Sequence, residues 1–568
     1  MNILNELKNL VGDHNVITDP SKTAPYYKGF RYGSGTALAV VIPRTLVELW
    51  QVARTCVKHD HIMILQASNT GLTGGSTPFG DYDRPVLLIS LMLLKGIQLL
   101  NDGSQAVAFP GSTLFELEDL LRPLGREPHS VIGSSCIGAS IIGGICNNSG
   151  GALIHRGPAY TEQALYARID EGGNLELINH LDIDLGQTPE EILTNLQEQR
   201  YRPEQVHNGG SRRASDSSYE AKVRDVDAAS PARYNNNPER LYEASGSAGR
   251  LIVFAVRIDT FAKPAREQVF YIGTNDTRVL TKIRRDILKS FKNLPVSGEY
   301  LHRDYFNVSE RYGRDSFLLI DKLGSKAVPP FLRFKNRFDR LAGKIGLGKF
   351  SDKFTQFIME LLPSHLPPVF RQMRDQYEHH LVLKMENDGI EEAKDYLDKL
   401  LVGSVGAYHY CTAKEGEQAI LHRFVMAGAA KRYHTVHGKR FGDILALDIA
   451  LRRNEEDWFE VLPPELDALI VEKLYCGHFF CHVMHQDYLL KPGTDAMAIK
   501  AQLLQYFDAK GAEYPAEHNV GHLYQAKEAL RDFYRQQDPT NSLNPGIGKT
   551  PKNKHWSGPC DCGSHGHG

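Results

Sequence analysis

Two glycine-rich, nearly uncharged stretches early in the chain leave few folds open. The first, Gln66-Ala67-Ser68-Asn69-Thr70-Gly71-Leu72-Thr73-Gly74-Gly75-Ser76, runs straight out of the apolar Ile62-Met63-Ile64-Leu65. The second spans 133–151 and holds six glycines in nineteen residues. Small residues let successive backbone N–H groups converge on one anion, and Ser and Thr hydroxyls add donors. Neither stretch is a common nucleotide fingerprint, since there is no G-x-x-x-x-G-K-[ST] and no G-x-G-x-x-G. After the first come Pro78, a turn and another apolar run, Val86 to Ser90, so its anion would sit in a loop between strands. Gly546-Ile547-Gly548-Lys549-Thr550 also fails as a P-loop, because Leu543 stands where the first Gly belongs and Pro551 follows.

The text around the loops supplies their supports. Leu38 to Ile42 reads as a buried strand ended by Pro43, and Thr45-Leu46-Val47-Glu48 as a capping box opening a helix to about His59. Gln105 to Phe109, the break at Pro110-Gly111 and a second box, Thr113 to Glu116, repeat the device with a helix ending near Leu121. Leu251 to Val256 reads as a buried strand closing a first domain near 260. Before it, about 209 to 237 is rich in Ser, Arg, Asp and Asn and reads as an exposed excursion.

With 568 residues, 42% hydrophobic and 24% charged, the chain is an ordinary multidomain globular protein with a large core. Its net charge of −2 gives no reason to expect a nucleic-acid partner. The start, Met1 to Leu7, lacks a basic n-region and an apolar h-region, so a secretory signal is not expected. The longest apolar run, Val86 to Leu94, is far below the roughly 18 residues a membrane span requires. The eight cysteines have no disulfide spacing and read as thiols. Charge is concentrated locally: between 326 and 374 ten Lys/Arg face three acids, interleaved with Phe331, Phe334, Phe338, Phe350, Phe354 and Phe357. That pattern suits either an anionic lipid surface or a solvated helical face over a core. Arg423 to Arg440, basic with no acid, is a candidate extension of the patch. The end, Cys560 to His567, reads as a flexible tail, with soft metal ligands as the alternative.

The two loops behind their strand and helix pairs resemble the flavin domain of the p-cresol methylhydroxylase and vanillyl-alcohol oxidase family. Leu124 to Ser140, Cys146-Asn147-Asn148-Ser149-Gly150-Gly151 and Tyr514-Pro515-Ala516-Glu517-His518-Asn519-Val520-Gly521-His522 resemble the bacterial quinone-dependent D-lactate dehydrogenases along nearly the whole chain. The likeness weakens at 200–235, at 326–360 and in the tail. It implies an α+β fold with a two-part FAD-binding domain, an α/β cap domain and an inserted basic membrane-binding segment. The implied division is FAD-binding at 1–260 and 516–568, cap at 261–301, 379–416 and 441–515, and membrane-binding at 302–378 and 417–440. The implied activity is oxidation of D-lactate to pyruvate, with electrons passed through FAD to a membrane quinone. The implied place is the cytoplasmic face of the inner membrane, held peripherally on anionic phospholipid. Another D-2-hydroxy acid such as 2-hydroxyglutarate or glycolate, or a flavin-binding surface protein without turnover, stand as alternatives.

By the same resemblance Ala67, Ser68, Asn69, Thr70, Gly71, Gly75 and Ser76 hold the FAD pyrophosphate. Gly133, Ser140 and Gly150 line the rest, and the strand at Val253 presents backbone to the cofactor. Gly246-Ser247-Ala248-Gly249 has Ala where the family places Glu, so that carboxylate's role is missing here. The first loop offers no residue for a covalent flavin bond, and FAD is expected to be non-covalent. Oxidising a 2-hydroxy acid requires a base, a hydride acceptor and a cation for the carboxylate. His518 is the expected base, with Glu517 beside it, because neutral imidazole is an available proton acceptor near pH 7. Arg423 is the expected carboxylate partner through its planar fork, with Arg452 and Arg453 as competitors. No metal is assigned, although His478, His485 and Glu517 form a candidate set for a divalent ion. Against that set, Phe479 to Met484 is apolar where metal-binding relatives are rich in Gly and Asp.

Overall fold

The computed structural model describes residues 2–130, 137–208, 210–331, 350–403 and 405–558. Gly133, Lys335, Arg337, most of the basic Phe-rich run and the Cys/His tail lie outside the described residues.

The first sheet has four strands, β1 (Val16–Ile17), β2 (Ala39–Val41), β3 (Ile62–Gln66) and β4 (Val86–Ser90), in the order β1-β2-β4-β3. β4 runs parallel to β2 and β3, so a crossover is needed, and the helix Leu46–Lys58 provides it. At the start of that helix Thr45 accepts from the Glu48 N–H at 3.0 Å, but the Glu48 carboxylate reaches Arg44 N instead of Thr45 N. The expected box is therefore half formed, with the acid capping one residue further out. At Thr113 both halves are present and open the helix Leu114–Leu121.

The second sheet is antiparallel: β5 (Ile97–Leu100), β6 (Gln105–Ala108), β8 (Ala164–Ile169), β9 (Leu175–Asn179) and β10 (Ile252–Asp259), ordered β5-β6-β10-β8-β9. A short pair, β7 (Arg126–Glu127) with β11 (Phe261–Ala262), lies outside it. β10 is central, which is why its residues read as one unbroken apolar run instead of alternating. The C-terminal part of the chain returns to this half: Leu543 bridges Met63 of β3, and Arg84 donates to Asn541 O at 2.7 Å.

The third sheet has seven antiparallel strands: β12 (Glu267–Thr274), β13 (Ser297–His302), β14 (His379–Glu386), β15 (Ala407–Tyr410), β16 (Ile444–Ala450), β17 (Ile470–His478) and β18 (Val483–Leu490). Their order is β15-β12-β14-β13-β17-β18-β16. Its largest core joins Leu280, Ile283 and Ile287 of the helix Thr277–Ser290 to strand residues such as Phe270, Leu381 and Leu447.

Two expectations are corrected here. The stretch 210–237 is an exposed excursion only in part: Ser211, Arg213, Ser217, Ser218, Asp225 and Asp227 are exposed, but Tyr219, Val223, Val226 and Ala232 join that largest core, and Arg233, Asn235, Asn236 and Asn237 are buried. Its buried polar residues misled because they are satisfied internally; the buried Arg453 donates to Lys222 O at 2.7 Å and to Ser230 O at 2.9 Å, pinning this backbone. The cations of 423–440 turn inward only in part, for Lys431, Lys439 and Arg440 are exposed. Arg423 and Arg432 are buried against Glu299 and Asp315, and Arg440 pairs with Glu472.

Candidate active site

The first glycine stretch forms the loop leaving β3. Gln66 donates to Tyr26 O at 2.9 Å and to Ser76 O at 2.8 Å, closing the loop at its base. Asn69 takes a left-handed conformation (φ 51°), donates to Lys28 O at 2.9 Å and accepts from Ser76 Oγ at 3.1 Å. Ala67 and Thr70 lie half-buried along the same turn. Ser68 Oγ accepts from Ser140 N at 2.9 Å, which joins the first loop to the second. Ser140 in turn caps the helix Ile141–Cys146 through Gly143 N. Gly71 and Gly138 face space with no protein atom within 4 Å of where a Cβ would stand, so a ligand has access to the backbone there. Gly75 packs 3.6 Å from the Asn519 side chain. Val253 lies in the part of β10 opposite Tyr166 of β8, before β6 begins to pair at Val256.

Gly150 does something else. A Cβ there would stand 2.9 Å from Glu517 Cγ, so the face a side chain would need is occupied by the acid beside the expected base. Asn519 Nδ2 donates to Asn147 Oδ1 at 2.5 Å, and Gly521 N donates to Asn519 Oδ1 at 2.6 Å. With His522 N donating to Thr73 O at 3.0 Å, the 515–522 segment is tied to both glycine loops.

Behind it the seven-stranded sheet presents a row of charges fixed by register. Glu299 of β13 stands opposite His478 of β17, and His485 of β18 stands opposite Asp448 of β16. His478 Nδ1 lies 2.7 Å from Glu299 Oε1 and its Nε2 3.2 Å from Glu517 Oε2. His485 lies 3.6 Å from both Asp448 Oδ1 and Glu517 Oε2. Asp448 accepts the Glu517 N–H at 2.7 Å, and His518 Nε2 sits 3.7 Å from the same carboxylate. Arg423, near the end of the helix Ala413–Phe424, places Nε 3.1 Å from Glu299 Oε2. His518, Glu517, Arg423, His478 and His485 are therefore brought together. Arg452 and Arg453 are not: Arg452 pairs with Glu455, and Arg453 spends its donors on backbone.

The charges balance through proximity. Burial alone would neutralise Glu517, but His478 and Arg233 hold it well below the usual carboxylate range. Glu299 is likewise lowered against its burial by His478 and Arg423. Burial would strip the proton from His478, yet Glu299 and Glu517 overcome this and raise it to about 10. His485 is pushed down by burial and is neutral. Asp448 is lifted by burial to about 6, with His518 opposing the rise.

Glu299, Asp448 and Arg233 are additions that the sequence reading did not make. Asp448 had a signal, a lone acid inside Ile444-Leu445-Ala446-Leu447-Asp448-Ile449-Ala450. Glu299 and Arg233 had none.

Comparison with known proteins places this geometry. Residues 269–556 match the family described as D-lactate dehydrogenase, membrane binding, and residues 37–169 match the FAD binding domain family. The quinone-dependent D-lactate dehydrogenase of Escherichia coli (strain K12) is 57% identical over 97% of each chain. That of Haemophilus influenzae is 55% identical over 98% of this chain and 99% of the relative. In fold, p-cresol methylhydroxylase with substrate bound superposes with a TM-score of 0.57 at 14% identity, covering 96% of both chains. With a family model spanning half the chain and relatives above half identity over nearly all of it, this chain belongs to the quinone-dependent D-lactate dehydrogenase family.

Proposed function

We propose that the cluster oxidises the C2 hydroxyl of D-lactate to the ketone of pyruvate, with FAD held non-covalently by the glycine loops and a membrane quinone as final acceptor. The observation that carries this reading is that the segment bearing His518, set beside the buried charges, is hydrogen-bonded through Asn519 and His522 to the two loops that leave open space at Gly71 and Gly138. FAD bound there would supply a two-electron acceptor for the C2 hydride and a carrier of those electrons toward the quinone. Ala67 to Gly71, Gly75, Ser76 and Ser140 would hold it, with the backbone of Val253 lining the site, whereas Gly150 makes room for Glu517. His518, about one-third exposed, takes the hydroxyl proton, and the Asp448 carboxylate beside it favours the imidazolium that results. Arg423 carries a fork for the substrate carboxylate, with Glu299 on its Nε holding the guanidinium in orientation. Glu517 is a fixed anion that keeps His478 protonated.

The division of the chain that accompanies this reading is the one given by the resemblance, with lipid contact assigned to 302–378. In its support, the helix Phe350–Glu360 exposes Phe354, Phe357 and Ile358, and Leu361 and Leu362 beyond it are exposed too. Among the described residues no helix is long and apolar enough to cross a membrane. We assign the surface to anionic phospholipid on the cytoplasmic face of the inner membrane. Phe357→Asp should weaken vesicle binding and leave flavin reduction unchanged.

A second reading rests on one observation. His478, His485 and Glu517 offer ligand atoms within 4.8 Å of one another, and each histidine has a carboxylate at its other nitrogen, as metal-binding imidazoles do. A divalent ion held there would polarise the substrate hydroxyl. It would have to come between His478 Nε2 and Glu517 Oε2, which already pair at 3.2 Å. We therefore favour the metal-free site. Metal analysis of the purified protein decides between them.

The deciding experiment is the anaerobic visible spectrum before and after D-lactate or L-lactate. Bleaching of the flavin band by the D isomer alone is expected. A band that neither isomer bleaches would remove the substrate assignment and leave the FAD site standing.

A further inference from the structure

Arg233 is the most deeply buried charge of the site, with a side chain 3% exposed. It comes from the segment whose composition resembles surface loop. Its Nη2 donates to Glu517 Oε1 at 2.6 Å and also to Gly151 O, and its Nη1 reaches Leu153 O at 3.4 Å. One guanidinium thus ties the acid before the expected base to the backbone of the second glycine loop. The neighbouring chain reinforces the tie, since Asn235 N donates to Pro515 O at 3.3 Å and Asn235 Nδ2 to Asn147 O at 2.5 Å. On the other side Arg453 fixes Ser230. Arg233 is held from both directions and has little freedom to follow Glu517 if the acid moves.

The two oxygens of Glu517 are divided by this arrangement. Oε1 belongs to Arg233, and Oε2 faces His478 and His485. A carboxylate rotates about its last bond unless both oxygens are engaged. The glycine at 150 makes this orientation possible, because a Cβ there would stand 3.0 Å from Oε1.

We propose that Arg233 is a positioning residue for the reaction: it locks the orientation of Glu517, and through it the placement of His518, against the second glycine loop. The proposal rests on the reading of 517–518 as the reacting segment. A lysine does not reproduce it, because a single ammonium on a flexible stem replaces two rigidly held nitrogens, Nη2 on Glu517 and Gly151 and Nη1 on Leu153.

The test compares Arg233→Lys and Arg233→Ala with the wild-type holoenzyme. Arg233→Lys keeps the cation and should retain FAD, yet its flavin reduction by D-lactate should slow at least tenfold at saturating substrate. Arg233→Ala should slow at least a hundredfold and regain at least tenfold on addition of guanidinium, but not of methylammonium. A crystal structure of Arg233→Lys should show Glu517 turned from His478 or residues 150–153 displaced. Reduction within threefold of wild type in Arg233→Lys, or an unmoved Glu517 in its structure, would overturn the proposal. If Arg233→Ala does not fold, the lysine variant alone decides. If wild-type flavin is not reduced by D-lactate, the substrate reading fails, and the variant's structure still decides the role of Arg233.

Discussion

The glycine loops and the charged cluster touch one another and are built by opposite means. The loops are contiguous text in which neutral backbone and small side chains make the surface. The cluster draws one or two ionisable residues from each of several distant places: Arg233, Glu299, Arg423, Asp448, His478, His485 and Glu517. A cavity for a large neutral-to-anionic cofactor can be shaped by leaving side chains out. A reacting centre has to fix charges to within a fraction of an ångström, and a seven-stranded sheet does so by register.

That contrast can be attacked directly. The largest effect is expected at His518. His518→Gln should keep FAD bound and slow its reduction by D-lactate by roughly 10²–10⁴-fold, as loss of a general base does; stopped-flow absorbance reads it. Glu517→Gln comes next, because it leaves Arg233 and His478 buried against a neutral amide. Breaking a buried ion pair this way costs ~3–5 kcal/mol, so the thermal midpoint should fall markedly, as calorimetry would record. If the midpoint is unchanged, the cluster is not an ionic framework.

A pH series probes the same framework more gently. Asp448, lifted by burial to about 6, is ionised above that pH and protonated below it. Its negative charge favours the imidazolium formed on His518, so the reduction rate should fall as pH drops through about 6. Asp448→Asn should be slow throughout and lack that limb; a limb that persists would assign it to another group. The smallest effect separates the two building modes. Gly71→Ala meets no protein atom and should leave stability within about 0.5 kcal/mol while lowering FAD occupancy. Gly150→Ala collides with Glu517 and should instead slow reduction at full FAD occupancy. Identical phenotypes for the two glycines would dissolve the distinction.

What the sequence disclosed follows the same division. Strands β3, β4 and β10 and both helix starts are near-neighbour patterns, and they lie where apolar runs, prolines and Thr/Glu pairs put them, apart from the reach of Glu48. His518 and Glu517 were found because a contiguous motif surrounds them. Arg233 was hidden because its partners lie at 151 and 517, and nothing near it in the chain hints at burial. Much of the stretch before it is surface, as its composition suggests, but Arg233 and Asn235 within the same run bond Glu517 and buried backbone. Arg423 was found by its chemistry, but its Glu299 partner becomes visible only once β13 is laid beside β17.

The return of residues 541–544 to β3 has a consequence for how the protein comes into being. Met63 is synthesised long before Leu543, yet the two share one bridge, and the 515–522 segment joins Asn147 only after most of the chain between them has been made. Pairings this remote along the chain form slowly. On the ribosome the lipid-seeking surface would emerge well before any redox centre is complete. A nascent chain therefore presents that surface while the segment bearing His518 and the second glycine loop are still unjoined.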